Sequence, residues 1–330
     1  MTRLLLSTTC FSALWAGIAA SDVPVVATDI APVHSLVSRV MDGVGEPALV
    51  VQPGASPHEY SLRPSEASAL EKASVVFWIG DDLTPWLADA LDTLAADATV
   101  TALLEADGTT LLDFREDALF EAHDHGHEDG HDDHDDHDKH DHDEDHASHD
   151  DHDDHEGHAH GTHDPHAWLS VENAANWLNV IAAQLSAKDP GNAGTYFANA
   201  AAGREELEAL KQEVSGILDP VRGGDFIVFH DAYQYFEVSF DFPASGAISI
   251  SDASDPGPAR IAEIQARVTD EGIDCVLSEP QYDPGLVKTV LDGTDANTGV
   301  LDPLGSDLEP GKEMYPQMIR NLATILKDCL

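Results

Sequence analysis

Apolar residues in the first half of the chain alternate between two patterns, the short runs typical of buried strands and the spacing typical of helices. Short apolar runs of strand length lie at Val23–Thr28, Ala48–Val51 and Val75–Gly80, and segments with helical spacing lie at Pro64–Lys72 and Leu83–Ala96. Strands that alternate with helices predict a parallel sheet with right-handed crossovers. The first half is therefore expected to form an α/β lobe.

The second half repeats this pattern. Strand-length runs lie at Phe226–Phe229, Ala247–Ile250, Cys275–Leu277 and Gly299–Leu301, and helical segments lie near Pro258–Thr269, Pro284–Leu291 and Met314–Lys327. Between the halves, Asn192–Leu218 is rich in helix formers and predicts one long helix, although a helix packed inside one domain would show the same periodicity. We expect an α/β fold of two lobes, with parallel sheets flanked by helices and one long rigid helix joining the lobes.

The N-terminus has the pattern of a secretory signal. A charged start at Arg3 precedes an apolar run, Leu4–Ile18, and the small residues Ala19 and Ala20. The run is too short for a membrane span, which needs about 20 apolar residues. We therefore divide the chain into a signal peptide (1–20), a first lobe (21–190), a linking helix (191–219) and a second lobe (220–330), and expect export to the periplasm as a soluble protein.

Histidine and negative charge are concentrated in residues 123–163. These 41 residues include 15 His and 17 Asp or Glu; with Lys139 they carry −16 of the chain's formal charge of −46. A polyanion repels phosphate backbones, which excludes nucleic acid and points to cations as partners. Because residues 123–163 lack apolar periodicity, we expect them to form a disordered loop. It would bind several zinc ions weakly and collect them for a tighter site; the alternative is a solubilising spacer.

Four histidines lie outside that segment: His34, His58, His166 and His230. His58 follows a predicted strand in a Gly/Pro loop, His166 just precedes a predicted helix, and His230 directly follows the strand Phe226–Phe229. Ligands of open α/β sheets bind beyond the carboxyl ends of strands, so these three side chains can meet in a cleft between the lobes. Three imidazoles with an open fourth position suit zinc. His34, in the first turn of a helix, is not expected to bind metal.

Cys275 and Cys329 are the cysteines that remain after signal cleavage. An even pair in an exported chain predicts one disulfide. Closing the 54-residue loop between them would stabilise the protein by about 4 kcal/mol in the chain-entropy model.

Three segments around the histidines resemble the signatures of periplasmic zinc-binding receptors of ABC importers, the ZnuA type. They are Pro57–Glu66 (PHEYSLRPSE), Asp164–Ser170 (DPHAWLS) and Phe229–Phe236 (FHDAYQYF), and Ser278–Gln281 and Leu301–Gly305 match two further family segments. The resemblance covers essentially the whole mature chain. It implies two α/β lobes bridged by a long helix, one high-affinity metal site in the cleft, a disulfide in the second lobe and a charged His-rich loop in the first.

The resemblance also implies that His58, His166 and His230 are the metal ligands. Manganese-binding relatives generally carry a carboxylate at the position of His230, so imidazole there favours zinc. Some zinc members have an acidic residue immediately before the first His, where this chain has Pro57.

The fourth ligand is therefore open among water, Asp302 and Glu59. Glu279 is expected to be a structural carboxylate at a strand end. Trp168 and Tyr233 are expected to pack against the loops that carry the ligands and to orient them.

We consider three functional hypotheses and favour the first. The first is a monomeric receptor, not an enzyme, that delivers Zn²⁺ to a membrane permease; since the sequence contains no P-loop pattern, the ATPase would be a separate subunit. The second is a zinc hydrolase, whose turnover would be lost with the metal. The third is a metal-buffering or adhesive surface protein, which would have many weak sites and no tight one.

Overall fold

The structure of the protein, a computed structural model, describes residues 23–115, 163–249 and 257–330. The predicted signal peptide lies outside these residues, as does the predicted loop except for His163. Within the described part of the chain, no helix combines the length and the apolar character needed to cross a membrane.

The first lobe is built on a four-stranded parallel sheet. Its strands are β1 (Val26–Thr28), β2 (Ala48–Leu49), β3 (Val75–Trp78) and β4 (Thr99–Ala102), in the order β2-β1-β3-β4. Its helices are α1 (Ala31–Val40), α2 (Pro64–Lys72), α3 (Pro85–Leu94) and α4 (Val171–Lys188). Proline stands in the first turn of α1, α2 and α3, where its missing N–H has no helical partner to lose.

The second lobe has the same strand order. Its strands are β5 (Phe226–His230), β6 (Gly246–Ser249), β7 (Cys275–Ser278) and β8 (Asn297–Val300), all parallel in the order β6-β5-β7-β8. Its helices are α6 (Gln234–Phe240), α7 (Pro258–Glu271), α8 (Pro284–Leu291) and α9 (Met314–Cys329). In such a sheet, ligands usually bind in a crevice at the carboxyl ends of the strands. The crevice lies between two neighbouring strands whose connections leave in opposite directions.

One long helix, α5 (Ala193–Leu218), lies between the lobes in sequence and packs against α1, α4 and α9. Its buried residues, among them Leu207, Leu210 and Val214, belong to a cluster that runs without interruption from the first lobe into the second. Smaller apolar clusters cover the opposite face of each sheet, under α2 and α3 in one lobe and under α7 and α8 in the other. Both sheets are thus buried on two faces, as parallel sheets require.

The predicted fold class is confirmed: two parallel sheets flanked by helices, with the long helix joining the lobes. Two elements were not predicted, β4 and α6. Strand β1 begins three residues later than predicted, because Val23 and Val25 are exposed and outside the parallel ladder.

Candidate metal centre

Three histidines from distant parts of the chain converge in the cleft between the lobes. His58, His166 and His230 each offer a ring nitrogen, and these nitrogens all lie within 4.8 Å of one another. His166 and His230 are each 4% exposed, whereas His58 is half-buried. The structure therefore brings together the three histidines that the sequence singled out, and it leaves His34 outside the group.

His230 is the last residue of β5, and its orientation is set by the neighbouring strand. Because β5 pairs with β7 in parallel register, Glu279 lies beside His230 just beyond the strand ends. The His230 Nδ1–H donates to Glu279 Oε1 over 2.6 Å. The proton on Nδ1 leaves Nε2 with a lone pair, which is the tautomer that a metal ligand needs.

His166 has the same arrangement with a local partner. Asp164 Oδ1 accepts from the His166 backbone N–H at 3.0 Å and from its Nδ1–H at 2.7 Å. A short 3₁₀ turn, Ala167–Leu169, follows, and the Ser170 side chain then caps α4 by accepting from the Asn173 N–H. His166 Nε2 is thereby directed at the cleft, and it lies 3.4 Å from His230 Nε2.

His58 lies in the loop between β2 and α2. The indole Nε1–H of Trp86 donates to the carbonyl of Pro57 over 2.7 Å, and the Trp86 ring also packs against Tyr60. The Tyr60 hydroxyl in turn donates to Glu66, a buried carboxylate in the first turn of α2. The loop therefore lacks regular secondary structure but is tied to α2 and α3 on both sides of His58.

One pair among these nitrogens has the spacing that a tetrahedral zinc ion requires. Two nitrogens bound to a tetrahedral zinc at about 2.0–2.1 Å lie about 3.3–3.4 Å apart, and the His166 and His230 Nε2 atoms match that spacing. Two imidazole lone pairs at this separation repel each other unless a cation or a proton lies between them. Pro57, Trp168, Pro303 and Leu304 supply apolar walls, so the cavity is shaped for a small cation.

Neither carboxylate considered as a fourth ligand belongs to the convergent group. Asp302 accepts from the backbone N–H groups of Leu304, Gly305 and Ser306, and thus organises its own loop. Glu59 is exposed.

The packing residues behave as expected. The Trp168 indole donates to the Pro303 carbonyl at 2.8 Å and its ring contacts His166, while the Tyr233 hydroxyl donates to the Leu301 carbonyl.

His34 is buried in α1, where its Nε2 lies 3.1 Å from the Pro47 carbonyl oxygen and burial lowers its pKa. Cys275 and Cys329 form a disulfide that joins β7 to the end of α9.

Two buried acids that the sequence did not single out, Asp231 and Asp29, directly follow strands β5 and β1. Asp231 follows His230, and burial raises its pKa to about 7 although the Arg115 guanidinium lies 2.9 Å away and opposes the shift. Asp29, at the end of β1, accepts from the backbone N–H groups of Ile30 and Ile79, and burial raises its pKa to about 7 as well. Asp164 was inside a quoted motif, but its hydrogen bond to His166 was not predicted.

Comparison with known proteins identifies relatives over almost the whole chain. The family model described as zinc-uptake complex component A, periplasmic (ZnuA), matches residues 25–329. A protein of Brucella abortus (strain 2308) named high-affinity zinc uptake system protein ZnuA is 48% identical over 305 residues, which are 92% of this chain and 91% of that protein. A protein of the same name from Paracoccus denitrificans (strain Pd 1222) is 41% identical over 313 residues, covering 94% of this chain and 93% of that protein.

Solved structures show the same fold. A crystal structure of ZnuA superimposes with a TM-score of 0.71 at 21% identity, covering 93% of this chain and 99% of that one. A zinc-bound variant of AdcAII from Streptococcus pneumoniae gives a TM-score of 0.71 at 21% identity, covering 94% of this chain and 99% of that one. At this level of identity the likeness concerns the fold alone.

Proposed function

The chain belongs to the family of periplasmic component A proteins of zinc-uptake complexes, and from that membership we propose that His58, His166 and His230 are the protein ligands of one high-affinity zinc site. Members of this family are substrate-binding receptors of ABC zinc importers. This protein is accordingly a zinc-binding receptor of the periplasm and not an enzyme, and Zn²⁺ is its transported cargo.

The observation that carries the ligand proposal is the convergence of three imidazole nitrogens, two of them 3.4 Å apart with tautomers set by carboxylates. Nitrogen donors in this number suit a borderline cation such as Zn²⁺ better than Mn²⁺, which prefers oxygen. We further propose water as the fourth ligand. Asp302 is engaged by its own loop and Glu59 is exposed, whereas the half-buried side of the site near His58 is open to solvent.

The test is the removal of one ligand. His230→Ala should weaken zinc binding about a hundredfold or more in a competition with a coloured chelator, because a lost ligand costs more than a lost outer-shell partner. Circular dichroism should show that the fold is kept. His34→Ala is the matched control, since His34 is also a buried histidine but lies outside the convergent group, with its Nε2 3.1 Å from the Pro47 carbonyl oxygen. Equal affinity of the two variants would refute the ligand assignment.

We propose the remaining organisation on the same basis. Residues 1–20 act as an export signal, 21–190 and 220–330 act as the two lobes, and 191–219 connects them. The receptor works as a monomer that delivers zinc to a membrane permease whose ATPase is a separate subunit. Native mass spectrometry of the exported protein would report its N-terminus, oligomeric state and metal count together.

The His-rich segment 123–163 is proposed as an accessory zinc collector. Its 15 histidines among 17 acidic residues would raise the local zinc concentration, and each imidazole pair would bind more weakly than a preformed site because ordering entropy is lost. A variant that lacks 123–163 should keep one tight zinc and lose the weak ones in a metal titration. Loss of the tight zinc would contradict the placement of the site in the cleft.

A further inference from the structure

Arg115 forms an ion-pair cluster that crosses from the first lobe to the second. Its guanidinium donates through Nη1 to Glu237 Oε2 at 3.0 Å and through Nη2 to Glu237 Oε1 at 2.8 Å. The same Nη2 lies 2.9 Å from Asp231 Oδ1. Arg115 comes from the segment after β4, whereas both carboxylates come from the end of β5 and from α6.

Both ends of this cluster are connected to proposed zinc ligands. On one side, Asp231 directly follows His230. On the other side, the backbone of residues 112–113 pairs with that of 163–164, through the Asp164 N–H to Leu112 O bond and the bridge between Asp113 and His163. Asp164 then bonds to the ring of His166.

A tyrosine joins the same two segments. The Tyr235 hydroxyl, on α6, accepts from the Leu112 N–H and donates to the Asp164 carbonyl, both at 2.9 Å. Helix α6 is therefore docked on the paired backbone segments by Tyr235 and, two residues further on, by Glu237. We call the contacts of Tyr235, Glu237 and Arg115 the seam; it lies between the segment that carries His166 and the segment that carries His230.

Arg115 is the cation that faces three buried carboxyl groups at the seam. Asp231 and Glu237 are 9% and 6% exposed, and Asp164, at 2%, is the third carboxyl group nearby. Buried carboxylates repel one another unless a cation compensates them. The planar fork of arginine can bind one carboxylate with two hydrogen bonds and still reach a second, which the single ammonium of lysine cannot reproduce.

We propose that Arg115 is a positioning residue of the metal centre, which holds the segment that carries His230 against the segment that carries His166. The inference rests on the proposed function, because it concerns the same three histidines. Its consequence is kinetic: a loosened seam separates the two Nε2 atoms and shortens the residence time of the bound zinc.

The experiment compares Arg115→Met with Arg39→Met in the full-length mature protein. Arg39 is a matched control because it also binds one carboxylate, Glu206, with two hydrogen bonds and is 15% exposed against 19% for Arg115, but it joins α1 to α5. Stopped-flow release of Zn²⁺ to excess chelator gives the dissociation rate. The visible absorption of bound Co²⁺ gives the ligand geometry.

We expect Arg115→Met to release zinc about tenfold faster, at the lower end of the effect of outer-shell partners, and to shift the Co²⁺ spectrum. Arg39→Met should leave both unchanged, and Arg115→Lys should lie between wild type and Arg115→Met. If Arg115→Met does not fold, Arg115→Lys alone carries the test, with a release rate above that of wild type as the required result.

The inference would be overturned if a folded Arg115 variant had a lowered melting temperature but released zinc at the wild-type rate and kept the wild-type Co²⁺ spectrum. Arg115 would then be a purely structural residue. That outcome would leave the ligand proposal intact. Failure of the wild-type protein to bind one zinc tightly would instead refute the proposed function.

Discussion

Replacing Glu279 by glutamine tests whether the negative charge beside His230 strengthens zinc binding at the proposed site. Glu279 is 3% exposed, and its Oε1 accepts from His230 Nδ1–H at 2.6 Å. Glutamine has the same shape and can still accept this bond, but it lacks the negative charge that makes the imidazole a stronger donor to the metal. A hydrogen bond to a charged group contributes about 1.5–3 kcal/mol, and outer-shell partners of metal ligands contribute about 10–100-fold in affinity. Because each tenfold equals about 1.4 kcal/mol, the two estimates agree.

We therefore expect Glu279→Gln to weaken zinc binding about 10–100-fold while X-ray absorption still counts three imidazole nitrogens. Asp164→Asn should have an effect of the same size, since Asp164 bonds in the same way to His166. Asp189→Asn is the control: Asp189 is fully buried and accepts from Tyr196, away from the histidines. An affinity within about threefold of wild type would refute the reasoning. A loss as large as that of His230→Ala, with one oxygen fewer around the metal, would show that Glu279 is itself a ligand.

Two further predictions concern stability. Reducing the Cys275–Cys329 disulfide, which closes a loop of 54 residues, should lower the free energy of unfolding by about 4 kcal/mol in urea titrations, and a change below about 1 kcal/mol would contradict the chain-entropy account. Asp29 has its pKa raised from 3.8 to about 7, so between those values the unfolded chain has lost a proton that the native protein keeps. The free energy of unfolding of the metal-free protein should then fall with rising pH by up to about 1.4 kcal/mol per unit from this group. The Asp29→Asn variant should lack that contribution, and equal slopes for both proteins between pH 4 and 7 would refute it.

The alternation of short apolar runs with segments of helical spacing was sufficient to predict the fold class, because each buried strand is a short apolar run. It was insufficient for β4, whose Thr-Val-Thr-Ala sequence lies at a sheet edge and is mostly half-buried. It also missed α6, which has seven residues and no side-chain cap. Short or half-exposed elements are held by tertiary packing, which leaves little periodic signal in the sequence.

The histidines of the proposed site could be singled out because each lies outside a predicted element, beside Pro, Gly or a buried strand. Their partners were harder to predict. Glu279 is 49 residues from His230, and only the parallel register of β5 and β7, in which Phe226 pairs with Cys275, makes them neighbours. The ion pair of Arg115 with Glu237 spans 122 residues and depends on how the lobes pack, which the sequence pattern does not specify.

Because the apolar cluster runs from one lobe through α5 into the other, we expect the two lobes to unfold as a single cooperative unit. Calorimetry should show one unfolding transition for both lobes, with equal van't Hoff and calorimetric enthalpies. Zinc bound only by the native state would then protect every part of the chain at once, by about 2.7 kcal/mol when free zinc is a hundredfold above the dissociation constant. The melting temperature of the whole molecule is therefore expected to rise with the concentration of free zinc, and the zinc-free protein is expected to be degraded faster by proteases.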